Sequence, residues 1–363
     1  MPASAGRRAL LRTGLTGILA AGAAPAVVIA GRNVRWRLAS SFPRSMDALF
    51  GAGDRFARNL REASGGRFTV TTYAAGELVP AFSVVDAVQD RTVDCAHTAP
   101  YYFTGKDEAF AFDCAIPFGM NSRQLTAWMV EGNGMALMRE FYAQYDIVNF
   151  VMGNSGTQMG GWFRREIGSV ADLRGMRFRI GGFGSQIFER LGAVPQTIPL
   201  ADVFSAMERG ALDAMEFVSP YDDLRLGVHK AAPYYYAPAW WEGSGQLALY
   251  VNARAWAELP EDYRRLVQLA AADAHVWVQA AYDARNPVAM KQLLAEGARL
   301  MRMPRELMDA AWRETEALYA ELDRRNPRWK RIFADYRRFH RDQLAWHRLA
   351  EDSYNQYMAG ARL

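Results

Sequence analysis

The chain is short of the residues on which most catalytic and metal-centred proteins are built. It has two cysteines and five histidines in 363 residues. Cys95 and Cys114 lack the spacing of a zinc or redox motif. A disulfide between them and a pair of buried thiols are both compatible with the sequence. His97, His229, His275, His340 and His347 form no metal-ligand pattern. There is no Gly-x-Ser-x-Gly elbow, no phosphate loop and no His-Glu-x-x-His. Gly181-Gly182-Phe183-Gly184 lacks the full dinucleotide fingerprint. Repeats of fixed period and low-complexity tracts are absent.

Long apolar runs are also missing. The one suggestive stretch lies at the start, where Arg7-Arg8 precedes an apolar run from Leu15 to Ala20 and then small residues to Ala30. That run is too short and too broken by Gly and Pro for a membrane span. A positive start, short apolar middle and small-residue exit describe an export signal over 1–30, of the twin-arginine type, cleaved after Ala26 or Ala30. An uncleaved anchor is the alternative. The segment carries Arg7, Arg8, Arg12 and no acid, so its loss takes the net charge from +4 to +1. A nearly neutral chain gives no reason to expect nucleic acid. The late basic run from Arg324 to Arg341 reads as a solvated helix face.

What is present is apolar and aromatic. Half of the residues are hydrophobic and 12% are aromatic, sufficient for a large core shared by two lobes. Strand patterns at 34–39, 68–73 and 93–97 alternate with helical patterns at 46–64 and 82–89, the order of an α/β lobe with a mainly parallel sheet. A second set follows: strands at 146–153, 161–163, 176–180 and 212–218, with helices at 184–191 and 201–209. A long helix is predicted over 260–284, an amphipathic one over 305–322, and a last helix from Pro327 to about Tyr357. In that tail Ile332, Tyr336, Phe339, Gln343, Trp346, Ala350, Ser353 and Tyr357 follow four-three spacing, a seam that packs on its own domain or on a second copy. The fold class is therefore α/β, two lobes with a ligand cleft between them, a long spanning helix and an extended C-terminal helix. The organisation expected is 31–153 for the first part of lobe I, 154–250 mainly lobe II, 251–326 for the spanning helix and remaining elements, and 327–363 for a dimerisation helix.

Three segments carry candidate chemistry. Asn154-Ser155-Gly156-Thr157-Gln158 follows a strand, with amides able to donate and accept and glycines that permit close backbone approach. Arg177 and Arg179 share one face of a strand that ends at a cleft mouth, where a guanidinium fork suits a carboxylate. Glu216 sits in an apolar stretch where a carboxylate is costly unless paired or bound to a cation. The aromatic segment 233–243 brings a second acid, Glu242. The competing readings are an ordinary turn, a surface ion pair, and core packing.

Taken together, the stretches 153–163, 176–183, 213–223, 233–243 and 282–287 resemble the substrate-binding proteins of TRAP transporters (the DctP family), in the branch that binds 2-oxo acids and related monocarboxylates. The resemblance implies two α/β lobes crossed by a long helix, with the ligand enclosed between them. It assigns Arg179 to the substrate carboxylate, and Asn154, Tyr101 and Gln158 to substrate contacts. It assigns a bound cation, sodium or calcium, to Gln158, Glu216, the main chain of Phe217, and Glu242. It implies a periplasmic, non-enzymatic protein, a TRAP permease as partner, and a homodimer with exchanged C-terminal helices. Phe217 stands where the 2-oxo acid binders often carry Trp, which leaves the pocket without one ring and one N–H donor. The alternatives are a sensory ligand-binding subunit and, more remotely, an exported enzyme acting on 2-oxo acids.

Overall fold

The computed structural model describes residues 33–198 and 200–360; the signal read over 1–30 lies outside the described residues. Eleven strands are described: β1 (Val34–Ser40), β2 (Phe68–Tyr73), β3 (Cys95–Thr98), β4 (Ile147–Asn154), β5 (Gly161–Phe163), β6 (Arg177–Arg179), β7 (Val194–Gln196), β8 (Ala214–Met215), β9 (Tyr234–Ala237), β10 (Gln246–Asn252) and β11 (Arg299–Arg302). They form two sheets, ordered β2-β1-β3-β10-β4 and β11-β9-β5-β8-β6-β7.

The first sheet is mixed. β1 pairs in parallel with β2 and β3, as the alternating pattern predicts. β10 runs antiparallel to both β3 and β4. From sequence, most of β10 belonged with lobe II, yet it is a central strand of the first sheet. All seven of its residues are buried, so it shows no period-two signal that would have placed it. The segment 212–218 is strand only at Ala214–Met215, which puts Glu216 just beyond the strand end and free to turn into the cleft. The helix read over 46–64 starts at Phe50 and ends at Ala63.

The spanning helix is longer than its pattern suggested. It runs over Glu261–Ala295, straight through Pro287. A proline costs one helix hydrogen bond and crowds the preceding turn. Here the helix continues because both lobes pack on it. It lies against β4, the helix Phe50–Ala63 and the short helix Pro220–Leu226. Cys95 and Cys114 are free, buried thiols in separate core clusters.

The tail is divided in its packing. Helix Pro327–His347 is interrupted at Arg348–Asp352 by a turn of π-helix before Ser353–Gly360. The inserted residue rotates the helix face and ends the four-three register. The first part of the seam, before the turn is reached, is core. Trp329, Ile332, Phe333 and Tyr336 are buried, and the Tyr336 hydroxyl accepts from the Met120 N–H at 2.7 Å. The Trp329 ring lies 4.4 Å from Phe112 and 5.1 Å from Phe333, centroid to centroid. From Leu344 onward the apolar side chains face out: Trp346, Leu349, Tyr354 and Tyr357 are exposed.

Trp329→Ala removes a fully buried ring and should cost about 3–5 kcal/mol, read as a lower urea midpoint with an unchanged slope. A chain ended at Pro327 loses the same packing and is expected to unfold, not merely to change its oligomeric state.

Candidate functional site

The site is assembled where the chain passes between the sheets. It leaves the first sheet after β4 at Asn154 and returns through 238–245 to β10. The two crossings run side by side. Ser155 N–H donates to the Gly245 carbonyl at 3.0 Å, Gln158 N–H to the Glu242 carbonyl at 3.1 Å, and Ala239 N–H to the Gln158 carbonyl at 3.1 Å. The Thr157 hydroxyl donates to the Gly243 carbonyl at 2.9 Å. Gly245 makes this closeness possible: a Cβ there would stand 2.3 Å from both Gln158 Nε2 and Ser155 Oγ. Gln158 and Glu242 thus sit on two joined, irregular crossing segments.

Arg179 and Glu216 come from lobe II. β6 and β8 are parallel, with Arg179 in register with Met215, so both chains leave the sheet at the same carboxyl edge. Arg179 Nη1 donates to the Glu216 carbonyl at 2.6 Å and to its Oε2 at 3.3 Å. The two side chains are 4% and 1% exposed, so this pair is desolvated. Arg177, two residues back on the same strand, is instead half-exposed and forms a two-point bond to Asp213 at 2.8–2.9 Å. The expected pair of like-facing arginines therefore splits into one buried cation and one surface ion pair.

Lobe I supplies the aromatic wall. The turn Pro100–Phe103 follows β3 directly and carries Tyr101 and Tyr102 into the cleft. The Tyr101 ring packs on Gly181, where a Cβ would come within 2.8 Å of it. Tyr101, Tyr102, Gln158, Phe217, Phe42 and Leu49 are among the residues around an internal cavity of about 20 Å³. Tyr102, Phe42 and Leu49 were missed by sequence reasoning. The position of Pro100-Tyr101-Tyr102 at the carboxyl end of a buried strand was the available clue.

Asn154 has a structural task as well. Its Nδ2 donates to Ser244 Oγ at 2.8 Å, and its Oδ1 accepts from the Gly156 N–H at 2.9 Å. It holds the first crossing in place.

The electrostatics show what the site lacks within the protein. Burial, then the charge of Glu242, pushes the Glu216 carboxyl well above its usual range, against the pull of Arg179. Burial pushes Glu242 up to about 8. For Arg179, burial opposes the charge, but Glu216, the two tyrosines and Glu242 outweigh it and hold the guanidinium charged. Three buried oxygens have no hydrogen-bond partner: Gln158 Oε1, Glu216 Oε1 and Glu242 Oε2. All are hard acceptors from residues that meet at one place, a donor set suited to sodium, calcium or magnesium and unsuited to zinc. Among the described residues no group of three or more His, Cys, Asp or Glu is placed to hold a metal; here an amide stands beside two carboxylates. Arg179 Nε is likewise buried without a partner.

Behind the site, Asp222 and Asp223 open the helix Pro220–Leu226 and are buried. Asp223 accepts from Trp162 Nε1 at 2.9 Å and the Tyr235 hydroxyl at 2.6 Å. Asp222 accepts from the Tyr282 hydroxyl, and burial, only partly offset by that bond, raises it from 3.8 to about 7. A carboxyl raised on folding stabilises fully below its unfolded value, and that contribution is lost as pH rises through the folded value. Asp222→Asn should therefore make the fall in stability between about pH 4 and pH 7 shallower, by up to about 1.4 kcal/mol per pH unit. Melting curves across that range check it.

The family model for bacterial extracellular solute-binding proteins, family 7 (DctP), matches residues 40–325. A monocarboxylate 2-oxoacid-binding periplasmic protein of Nostoc sp. is 41% identical over 330 residues, 91% of this chain and 90% of the relative. A TRAP transporter solute-binding protein of Bordetella bronchiseptica superposes with a TM-score of 0.89 at 42% identity, covering 90% of this chain and 97% of the other. That protein was solved as a mixed-occupancy dimer with copurified calcium and picolinate in its active site. One from Pseudoalteromonas atlantica, solved with sodium and pyruvate, superposes at 0.87 with 34% identity, covering 90% and 99%. With this extent of match, the chain belongs to the DctP family, the extracellular solute-binding proteins of TRAP transporters.

Proposed function

We propose that the protein is exported to the periplasm, where it captures a small 2-oxo or 2-hydroxy monocarboxylate together with sodium or calcium and delivers it to a TRAP membrane permease. One observation carries this reading: a desolvated guanidinium stands beside three unpartnered buried oxygens at the crossing between two lobes. The names of similar proteins, which speak of 2-oxoacids, pyruvate and picolinate, support the substrate class.

In this reading Arg179 receives the carboxylate, with Tyr101, Asn154 and Gln158 orienting it. The cation is held by Gln158, Glu216, the main chain of Phe217, and Glu242, and draws the neighbouring keto or hydroxyl oxygen. Charge explains why a cation is needed. Arg179 balances one buried carboxylate, which leaves the second glutamate and the incoming acid uncompensated in a medium where isolated charge is expensive. Calcium cancels both; sodium cancels one. Phe217 makes the wall smaller and less polar than Trp, so acids with a modest apolar side group fit it best. In this reading the acid is captured and released unchanged.

Calorimetry with pyruvate tests the assignment. Arg179→Ala should weaken binding by at least about 100-fold, because ligand and Glu216 charges are left buried without a partner. Arg179→Lys should recover only part, since it lacks the fork. Chelating the cation should weaken the wild type similarly. Unchanged affinity in Arg179→Ala, with a native circular dichroism spectrum, removes this residue from the site.

The exposed distal tail supports a homodimer with exchanged C-terminal helices. Trp346, Leu349, Tyr354 and Tyr357 are 56–79% exposed. A groove of about 610 Å³, walled by Phe118, Trp240, Trp312, Tyr336 and Leu344, runs beside that helix and offers such a face a seat. A chain ended after Gln343 keeps Trp329 to Tyr336 and should be a folded monomer by light scattering; a dimer of that length would rule out the exchange.

A further inference from the structure

Asp47 lies in the segment between β1 and the helix Phe50–Ala63, in the lobe I wall that gives Phe42 and Leu49 to the ligand cavity. Two of its partners, Tyr221 and Arg225, come from the helix Pro220–Leu226 on the lobe II side, and the third, Arg285, from the spanning helix. The Tyr221 hydroxyl reaches both of its carboxylate oxygens, at 3.0 and 2.9 Å. Arg225 Nη1 stands 3.3 Å from it and Arg285 Nη1 3.5 Å. Arg225 also donates to the Ser45 carbonyl at 2.9 Å and to the Tyr221 hydroxyl at 2.9 Å. Both guanidiniums lie over the Tyr221 ring, 5.4 and 5.0 Å from its centroid.

The origin of these groups matters more than their number. Tyr221 and Arg225 lie on the helix Pro220–Leu226, which begins four residues after Glu216 and directly follows the cavity-lining Phe217 and Val218. That helix is fixed to the spanning helix, since the Tyr221 N–H donates to Asn286 Oδ1 at 3.1 Å and Tyr282 donates to Asp222. Lone surface ion pairs are worth little. Here one carboxylate takes a phenol and two guanidiniums; Arg225 is already held by Ser45 and Tyr221, and Arg285 stacks over the Tyr221 ring, so little side-chain freedom is lost in meeting it. The cavity is about 20 Å³, room for a water-sized group, so a carboxylic acid enters and leaves only as the lobes ease apart.

We infer that Asp47, with Tyr221, Arg225 and Arg285, is the latch that sets how long the ligand stays: a positioning cluster outside the binding site whose rupture precedes release. The inference rests on the substrate reading above only for the choice of ligand.

Release of pyruvate from the calcium-loaded chain, followed by stopped flow, tests it. Asp47→Asn should speed release about tenfold, the loss expected for a half-exposed charge-assisted cluster, with association changed less than about twofold. Tyr221→Phe should fall between. Asp309→Asn, which breaks an Arg305 pair within one helix, should match wild type. Because the cluster is partly exposed, potassium chloride should speed release from wild type and leave Asp47→Asn nearly flat. Hydrogen exchange on the ligand-free chain gives a second readout: amides of 42–49 should exchange about tenfold faster in Asp47→Asn. Unchanged release and unchanged exchange overturn the latch. So does a matching loss of calcium affinity, which would make Asp47 a support of the cation site. If pyruvate fails to bind wild type, the substrate reading fails and hydrogen exchange alone decides the latch.

Discussion

A guanidinium held almost wholly out of water is the feature around which the rest of this protein is arranged. Arg179 stays charged there chiefly because Glu216 lies against it through both main chain and side chain, with Tyr101, Tyr102 and Glu242 adding to the pull, and Glu216 can stay buried only while something compensates it. In a low-dielectric cleft neither group is tolerable alone. The parallel register of β6 and β8, which lets both residues leave one sheet edge together, is therefore a requirement of charge before it is a matter of packing. The second acid, Glu242, overloads the cluster. Three buried oxygens without partners are the consequence, and a cation is the natural answer.

The crossings between lobes do two jobs with one set of residues. Their mutual hydrogen bonds make them a narrow, defined connection, and their side chains Gln158 and Glu242 each carry a buried oxygen without a partner. Any change in how the lobes sit is thereby felt at these oxygens. The tail helix adds a support from the opposite side, where Tyr336 accepts from Met120 and Trp240 walls the groove. At the cleft's other end, the Asp47 cluster ties lobe I to the helix that starts just past Glu216. The site is thus flanked by buried aromatics on one side and by half-exposed charge beside the spanning helix on the other.

Several features were legible because they are local. The alternation in 34–39 and 68–73 matched strands β1 and β2 because residues facing one side recur every second position, whatever packs on them. Fold class followed from the order of such segments, and the DctP family from motifs spread along the chain. Residue types also told their chemistry in advance, since a glutamate in an apolar run and an arginine at a strand end each require a partner.

Other features could not be read locally. β10 is buried on every side, and its unbroken apolar run from Leu247 to Val251 carries no mark of which sheet it will join. Pro287 lies inside a helix because two lobes pack there, a context that outweighs the proline's own preference. Arg177 and Arg179 have the same spacing and chemistry, yet one lies at the rim and the other in the cleft. The tail's four-three seam suggested one continuous stripe, but it is core only as far as Tyr336 and is exposed from Trp346, ahead of the π-turn at Arg348–Asp352. By itself, the sequence determined the kind of elements, their order, the family and the chemistry available. Tertiary structure alone decided which charges lost their water and which met across the cleft, because desolvation and interlobe distance depend on everything that surrounds a residue and not on its neighbours in the chain.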